Sequence, residues 1–329
     1  MLSFIIRRLL IIIPMALLVI TLTWGLIRLA PGTFYSTEKK LPPAIEANIK
    51  KKYGLDQPVY KQYLLMLGNI TCRTKSADEE VRSGVQFSIG SLNFKCFDFG
   101  DSLKYPDRSV NQIISDHLPY SATIGLLAYL LALVLGLGAG IIAALKQNSA
   151  FDYGSMTFAM LGLSVPNFVL GPILVSVFSL TLYIFPPARF GGIMSLVLPV
   201  ITLSAIYMAY IARLTRAGML EVMRSDYIRT ARAKGLDETT VLLKHGLRGG
   251  IIPVLSFTGP ALAALLAGTV VVEKVFAIPG LGNMFIQSIL NRDEPLTLGI
   301  VAFLSIMIMV FNLIVDISYG FLDPRIRYE

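Results

Sequence analysis

The sequence predicts an all-α integral membrane protein with six transmembrane helices. Hydrophobic residues make up 54% of the 329 residues and charged residues only 15%, and the apolar residues form long runs. A helix that crosses a bilayer needs about 20 apolar residues. Six stretches of the chain meet this requirement: residues 9–30, 121–145, 154–185, 195–211, 251–272 and 298–321.

The first stretch is followed by a long segment, residues 32–119, in which two short helices are predicted. Gly54 ends the first of them, and Pro58 begins the second. Their apolar positions have helical spacing: Ile45, Ile49 and Tyr53, then Tyr60, Leu64 and Leu67. The stretch 9–30 itself is predicted to be a retained span, because it is too long for a removable signal peptide and lacks a small-residue cleavage site.

Cys72 and Cys96 are the only two cysteines, and both lie in this long segment. No histidine or further thiol lies close to them in the sequence, which argues against a metal site. In an oxidising compartment such a pair is predicted to form a disulfide. The alternative is two free thiols.

The distribution of Lys and Arg predicts the topology. Basic residues precede the first span, follow the second, occur eight times in residues 213–248 and close the chain. Both termini and residues 213–248 are therefore predicted to face the cytoplasm, and residues 32–119 the outside. The formal charge of +8 is not accompanied by a nucleic-acid-binding motif.

Residues 213–248 form a basic segment that also carries an apolar stripe with helical spacing. Gly235 follows the last basic residue of the stripe, where a helix can end in the left-handed conformation. The pattern predicts a short amphipathic helix, a turn and a second helix from about Glu238. A solvated loop, or a helix lying on anionic lipid, would also fit this composition.

No catalytic or nucleotide-binding motif is present, and the two histidines, His117 and His245, are predicted on opposite sides of the membrane. Uphill transport would then use an ion gradient or the ATP of a partner. Asp316 is the main carboxylate expected inside the membrane, and we expect it to pair with Arg213 or Arg216. A proton or ion site at Asp316 is the alternative.

Several segments resemble ATP-binding-cassette importer permeases of the peptide branch, which includes dipeptide, oligopeptide and nickel permeases. They include DYIRTARAKGL at 226–236, KHGLR at 244–248, EKVFAIPGLG at 273–282 and DPRIRY at 323–328. Within the branch, LPP at 41–43, ALKQN at 144–148 and LNRD at 290–293 are most similar to the B subunits of oligopeptide permeases. The resemblance extends over the whole chain.

The resemblance implies the type I importer permease fold, with domains 1–31, 32–119 and 120–329. It implies a second permease subunit, two cytoplasmic ATPases that bind ATP and Mg, and a periplasmic or lipid-anchored peptide-binding protein. The chain itself would hold no cofactor or metal and hydrolyse nothing. The residues expected to contact the ATPase are Leu220, Met223, Tyr227, Ile228, Arg229, Ala231, Arg232, Lys234 and Gly235.

The expected function is uptake of oligopeptides through a pathway shared with the second permease. Polar residues of the spans are candidates for its wall, namely Ser164, Asn167, Ser176, Ser179 and Thr202, although such residues also join helices. Dipeptides, nickel complexes and haem are alternative substrates within the branch. An ion-driven carrier and a membrane scaffold without transport activity are alternatives from other classes.

Overall fold

The computed structural model describes residues 2–29, 56–74, 84–89, 92–105, 107–187, 190–268 and 270–322. Helices make up most of this part of the chain. Up to the long central helix, the elements are α1 Leu2–Leu29, α2 Val59–Ile70, β1 Cys72–Thr74, β2 Val85–Ile89, β3 Leu92–Cys96, α3 Val110–Leu145, α4 Ala150–Ser164, α5 Asn167–Leu174, a π-helical turn Val175–Thr181, a 3₁₀ turn Ile193–Leu196 and α6 Val197–Met223. They continue with α7 Asp226–Ala233, α8 Glu238–Thr240, a π-helical turn Val241–Gly246, α9 Leu247–Gly250, α10 Ile252–Gly268, α11 Val270–Val275, α12 Leu281–Leu290 and α13 Glu294–Leu322.

The described residues contain four helices that are long and apolar enough to cross a membrane. They are Ile6–Leu29, Val110–Leu145, Ile193–Met223 and Glu294–Ile317. Two bent helix pairs raise the number of spans to six, in agreement with the sequence, if each pair crosses once.

The first bent pair corrects the prediction of one continuous helix over residues 154–185. Ala150–Ser164 and Asn167–Thr181 meet at 104°. Val165 has an extended backbone, with φ −110° and ψ 115°, because the ring of Pro166 disfavours the helical conformation of the residue before it. The second pair, Glu238–Gly250 and Ile252–Leu265, bends by 48°.

A small antiparallel sheet of order β1-β3-β2 accompanies the predicted helices. Cys72 and Cys96 are directly paired across β1 and β3, with their Cα atoms 4.1 Å apart, and a disulfide joins them. Next to the disulfide, a buried ion pair joins Lys95 Nζ to Asp98 Oδ2 at 2.6 Å. Strands β1, β2 and β3 therefore form a cross-linked sheet.

The predicted helix after Pro58 is confirmed by α2, which begins at Val59. The other short helix, predicted around Ile45 to Tyr53, lies outside the described residues. Contacts divide the chain into two units. The first comprises Met1–Ile12, Tyr120–Asn283 and Ile306–Glu329, and the second comprises Ile13–Pro119 and Met284–Ser305.

Close packing of α3, α4 and α6 forms the core of the first unit, and glycines permit it. A methyl group at Gly136 would lie 2.8 Å from the Ile211 side chain, and one at Gly140 would lie 2.6 Å from the carbonyl oxygen of Ala212. Gly162 of α4 meets the backbone of Ala205 in the same way. Small residues thus let the helix backbones approach, as in many membrane helix pairs.

The second unit contains its own cluster of buried apolar residues, Ile20, Ile70 and Ala302, with Met66 packed against it. The carboxylate of Asp293 is fully buried in this unit. It accepts hydrogen bonds from the hydroxyl of Ser102 and from the backbone nitrogens of residues 103 and 104. These bonds fix residues 102–104 against the start of α13.

Candidate functional site

Residues 226–250 form two helical arms joined by a sharp turn, as the sequence predicted. The first arm, α7, ends before Gly235, whose φ of 76° is the left-handed conformation that glycine adopts most easily. The second arm begins at Glu238. The side chain of Asp237 caps it by accepting a hydrogen bond from the backbone nitrogen of Thr240 at 2.9 Å. Hydrogen bonds from the side chain and the backbone of Thr240 lower the pKa of the Asp237 carboxyl.

The inner face of α7 packs against the chain itself. Ile228 is fully buried and Ala231 is 6% exposed, and both lie in a cluster with Val241, against which Val222 packs. This corrects the expectation that Ile228 and Ala231 contact an ATPase. Ile228 and Ala231 stabilise the two arms against each other, because they face Val241 of the second arm rather than solvent.

The outer face of residues 226–250 carries exposed apolar and basic side chains. Tyr227 is 49% exposed, Leu236 40% and Leu243 58%. Arg229 is exposed as well, on the other side of α7 from Tyr227, and pairs with Asp226, with 2.9 Å between its Nη2 and the carboxylate. This mixture of aliphatic, aromatic and cationic groups suits a protein partner, in which apolar contacts and charge pairs combine. We call Tyr227, Arg229, Leu236 and Leu243 the outer face.

The remaining predicted coupling residues have structural partners or cap the helix. Arg232 donates to Glu238 at 2.7 Å, which raises the pKa of the Arg232 guanidinium and ties the two arms together. Lys234 is exposed at the C-terminal end of α7, where a cation is favourable. Leu220 is half-buried on α6.

Met219 and Met223 of α6 hold the second arm in place. A methyl group at Gly246 would lie 2.9 Å from the sulfur of Met223, and the buried Met219 lies against Gly250. Gly218 approaches the carbonyl oxygen of Gly250 just as closely. The arms are therefore seated directly on the end of the long helix α6.

The predicted ion pair between Asp316 and Arg213 or Arg216 is wrong. Asp316 pairs with Arg8 of α1, with 3.1 Å between Nη2 and Oδ2. Arg216 instead donates two hydrogen bonds, of 2.8 and 2.7 Å, to the carboxylate of Asp152. The planar guanidinium group thereby engages both oxygens of a buried carboxylate at the start of α4.

Arg213 makes a 3.2 Å contact with the sulfur of Met160. It does not take part in an ion pair with Asp316.

Two of the five predicted pathway residues are buried inside the chain. Thr202 is fully buried and its hydroxyl donates to the carbonyl oxygen of Leu198 at 2.8 Å. Ser179 is 4% exposed and donates to the carbonyl oxygen of Pro186. Solute cannot reach either side chain, so both are removed from the predicted wall. Ser164 and Ser176 are exposed and Asn167 is half-buried.

The buried carboxylates that sequence reasoning missed include those of Asp152, Glu273 and Asp293, which are 2%, 0% and 0% exposed. Two have a helix-start signal in the sequence. Asp152 follows Ser149 in a capping arrangement, and Asp293 immediately precedes Glu294 at the start of α13.

Glu273 has no such signal. Its carboxylate accepts hydrogen bonds from the Ser121 hydroxyl at 2.6 Å and from the backbone nitrogen of Asn283 at 2.7 Å. The Ser121 hydroxyl oxygen also accepts from the backbone nitrogen of Leu281 at 2.8 Å. Glu273 and Ser121 together fix the turn between α11 and α12. Within the described residues, no group of three or more His, Cys, Asp or Glu could hold a metal ion.

Comparison with protein families identifies the chain. The family described as "Binding-protein-dependent transport system inner membrane component" matches residues 136–328. A second description, "Binding-prot-dependent transport system membrane comp, N-term", matches residues 1–125. The chain belongs to this family. Its members are membrane components of transport systems, and with several apolar helices this chain is a multi-pass transport component rather than an enzyme.

Named relatives match the chain over its whole length. The oligopeptide transport system permease protein OppB of Haemophilus influenzae is 42% identical over 330 residues and covers 100% of both chains. The OppB protein of Salmonella typhimurium is 41% identical, again over 100% of both. The dipeptide transport system permease protein DppB of Bacillus subtilis is 39% identical and covers 94% of this chain and 93% of its own.

Solved structures share the fold. The inward-facing MetNI methionine ABC transporter matches 64% of this chain and 96% of its own, with a TM-score of 0.54 and 16% identity. An amino acid ABC transporter solved with histidines gives a TM-score of 0.50 over 63% of this chain and 93% of its own, at 18% identity. The helical core is therefore that of an ABC importer permease.

Proposed function

We propose that the chain is the permease subunit of an ATP-binding-cassette importer that forms half of a membrane pathway for oligopeptides. The observation that carries the proposal is the 42% identity to a protein named as an oligopeptide permease, in a match that covers 100% of both chains. The chain then takes part in transport as a pathway and a mechanical link, while ATP hydrolysis takes place elsewhere.

The proposed partners are a second homologous permease subunit, two ATPase subunits that bind ATP and Mg, and a peptide-binding protein. The outer face of residues 226–250 is the proposed contact with an ATPase. Its side chains Tyr227, Leu236 and Leu243 are exposed, and the arms that carry them rest on α6 through Met219 and Met223. Movement of the ATPase would then move α6 as a lever.

Residues 213–248 face the cytoplasm in this proposal, together with both termini, and the protein lies in the bacterial inner membrane. The charge distribution supports this orientation, since eight basic residues occur in that one segment. Residues 32–119 would lie on the periplasmic side, where the Cys72–Cys96 disulfide is stable.

The proposed pathway wall comprises Ser164, Asn167 and Ser176. All three lie at or beyond the break between α4 and α5, with Ser176 in the π-helical turn. Breaks of this kind and π-helical turns are frequent at functional sites of membrane helices. Their hydroxyl and amide groups can pair with peptide backbone groups of any sequence, which suits a carrier of varied peptides.

The proposal is tested by reconstituting the chain with its partner subunits in vesicles and measuring uptake of radiolabelled peptides. We expect uptake to require ATP and the binding protein, and to persist when the proton gradient is collapsed. Uptake that needs a proton gradient but no ATP would establish an ion-driven carrier instead.

Dipeptides are a second candidate substrate, because the chain is 39% identical to a protein named as a dipeptide permease. Competition decides between them. In the oligopeptide case a labelled oligopeptide should be taken up, and unlabelled peptides of increasing length should compete with it. In the dipeptide case only a labelled dipeptide should be taken up, and only dipeptides should compete with it.

A further inference from the structure

Helix α2 is apolar on its outward side as well as its inward side. Inward, Ile70 is buried next to Ile20 of α1. Outward, Tyr60, Leu64 and Leu65 are 62%, 61% and 54% exposed. Lys61 is exposed among these apolar side chains, and a lysine can keep its ammonium group in a polar layer while its aliphatic part lies along an apolar surface. The outward side of α2 is therefore expected to lie at the edge of another apolar phase.

The attachment of α2 places it beside the apolar part of α1 rather than beyond the end of that helix. The hydroxyls of Tyr63 and Thr21 are 2.6 Å apart. Because the Thr21 hydroxyl donates to the carbonyl oxygen of Leu17 at 2.6 Å, Tyr63 is the donor to Thr21. Thr21 is eight residues before Leu29, the end of the span, which is about 12 Å along a helix axis.

A polar cluster marks the end of this region. Arg28 pairs with Glu294 at 3.1 Å and also donates to Gln62, and its guanidinium lies 5.3 Å from the centre of the Trp24 ring. Tryptophan and arginine side chains are typical of the level where the hydrocarbon meets the headgroups. Tyr63 and Thr21 lie on the hydrocarbon side of that level.

An open cleft of about 550 Å³ lies between α1 and α2 beside this polar cluster. Its walls are almost entirely apolar and aromatic and are formed by Thr21, Trp24, Val59, Tyr60 and Tyr63. Elsewhere on its surface the α1 span exposes Leu18, Leu22 and Leu26, which the hydrocarbon would cover.

We propose that an acyl chain of a membrane phospholipid occupies the cleft, and that α2 lies within the leaflet that surrounds the C-terminal end of α1. The depth of the Tyr63–Thr21 hydrogen bond and the apolar and aromatic walls of the cleft support this occupant. A lipid in the cleft would keep α2 against α1. The proposal does not depend on which solute the protein transports.

The sequence provides a natural probe, because Trp24 is the only tryptophan of the chain. The full chain is reconstituted in phosphatidylethanolamine and phosphatidylglycerol vesicles that contain lipids brominated on their acyl chains. We expect these lipids to quench Trp24 fluorescence, and aqueous iodide to leave it unchanged.

A second probe tests the outward side of α2. In a Trp24→Phe background, Leu64→Trp places the only tryptophan on that side, and Leu236→Trp provides a control on the segment that follows α7. We expect brominated lipid to quench the tryptophan at position 64 and iodide to quench the one at position 236. Quenching of position 64 by iodide would overturn the membrane position of α2. Quenching by neither reagent would mean that protein covers this side, and would overturn it equally.

A matched pair of variants tests the cleft itself. Val59→Phe fills the cleft, whereas Leu65→Phe adds a ring to the same helix outside it, at a similar exposure of 54% against 59%. Val59→Phe should remove most of the quenching of Trp24 by chain-brominated lipid, and Leu65→Phe should not. Equal quenching in both variants would show that no lipid chain enters the cleft.

Discussion

Replacing Gly235 by valine should separate ATP hydrolysis from transport. No atom lies within 4 Å of a Cβ built on Gly235, and its φ is 76°. A side chain therefore has room, and the cost is that of the left-handed backbone, about 1–2 kcal/mol for a typical L-residue. This energy changes the ratio of correctly to incorrectly turned arms by about 5- to 30-fold. The outer face then loses its orientation on α6.

Asparagine is the matched control, because it adopts the left-handed conformation more readily than other residues with a Cβ. Both variants and the parent are reconstituted with their partners, and stimulation of ATP hydrolysis by the loaded binding protein is measured beside peptide uptake. We expect Gly235→Val to lose most of both activities while it inserts normally into the membrane. Gly235→Asn should retain most of them.

Equal behaviour of the valine and asparagine variants would refute the reasoning, since their difference depends only on the backbone conformation. Parental transport in both would show that the turn has no coupling role. Loss of both activities in the asparagine variant, with normal insertion, would indicate that a side chain at this position obstructs a partner rather than straining the turn.

Three further predictions concern the buried and cross-linked groups. Replacing Cys72 and Cys96 by serine should destabilise the local hairpin by about 3 kcal/mol in the chain-entropy estimate. Proteolysis near the hairpin should then accelerate while peptide uptake persists, and unchanged proteolysis would contradict this. Asp152→Asn should lower the thermal unfolding midpoint, because it leaves Arg216 without its carboxylate at a cost of roughly 3 kcal/mol. Adding Arg216→Met to this variant should raise the midpoint part of the way back. A midpoint that does not rise in the double variant would count against the pair. Glu273→Leu should cost about 1–3 kcal/mol per orphaned donor and accelerate hydrogen exchange at residues 281–283, and unaltered exchange would disprove its role in the turn.

The apolar stretches of the sequence were sufficient to predict the membrane spans but not the bends within them. Composition identifies apolar stretches, because a bilayer requires about 20 such residues in a row. It does not identify the 104° bend at Val165 and Pro166, which requires attention to a single proline. The sheet was also missed, although its signal is present: Val85–Ile89 and Leu92–Cys96 alternate apolar and polar residues at every position, and only Gly90 and Ser91 separate them in the sequence.

The turn at Gly235 was predictable because it depends on local chemistry, a helix followed by glycine. The partner of the α7 stripe was not, because periodicity shows that one face is apolar without showing what covers it. Ile228 and Ala231 face Val241 of the same chain. The choice of Asp152 over Asp316 by Arg216 likewise depends on which helices are neighbours, and charge counts along the chain do not contain that information.

The central claim is that partner ATPases drive this permease through the outer face of residues 226–250. Site-specific cross-linking from Leu236 or Leu243, replaced one at a time by a photoreactive amino acid in the assembled importer, tests it most directly. The account predicts cross-links to the ATPase subunit whose yield changes when ATP binds, and none from the buried position of Ile228. Cross-links to lipid alone from both exposed positions, with or without ATP, would contradict it.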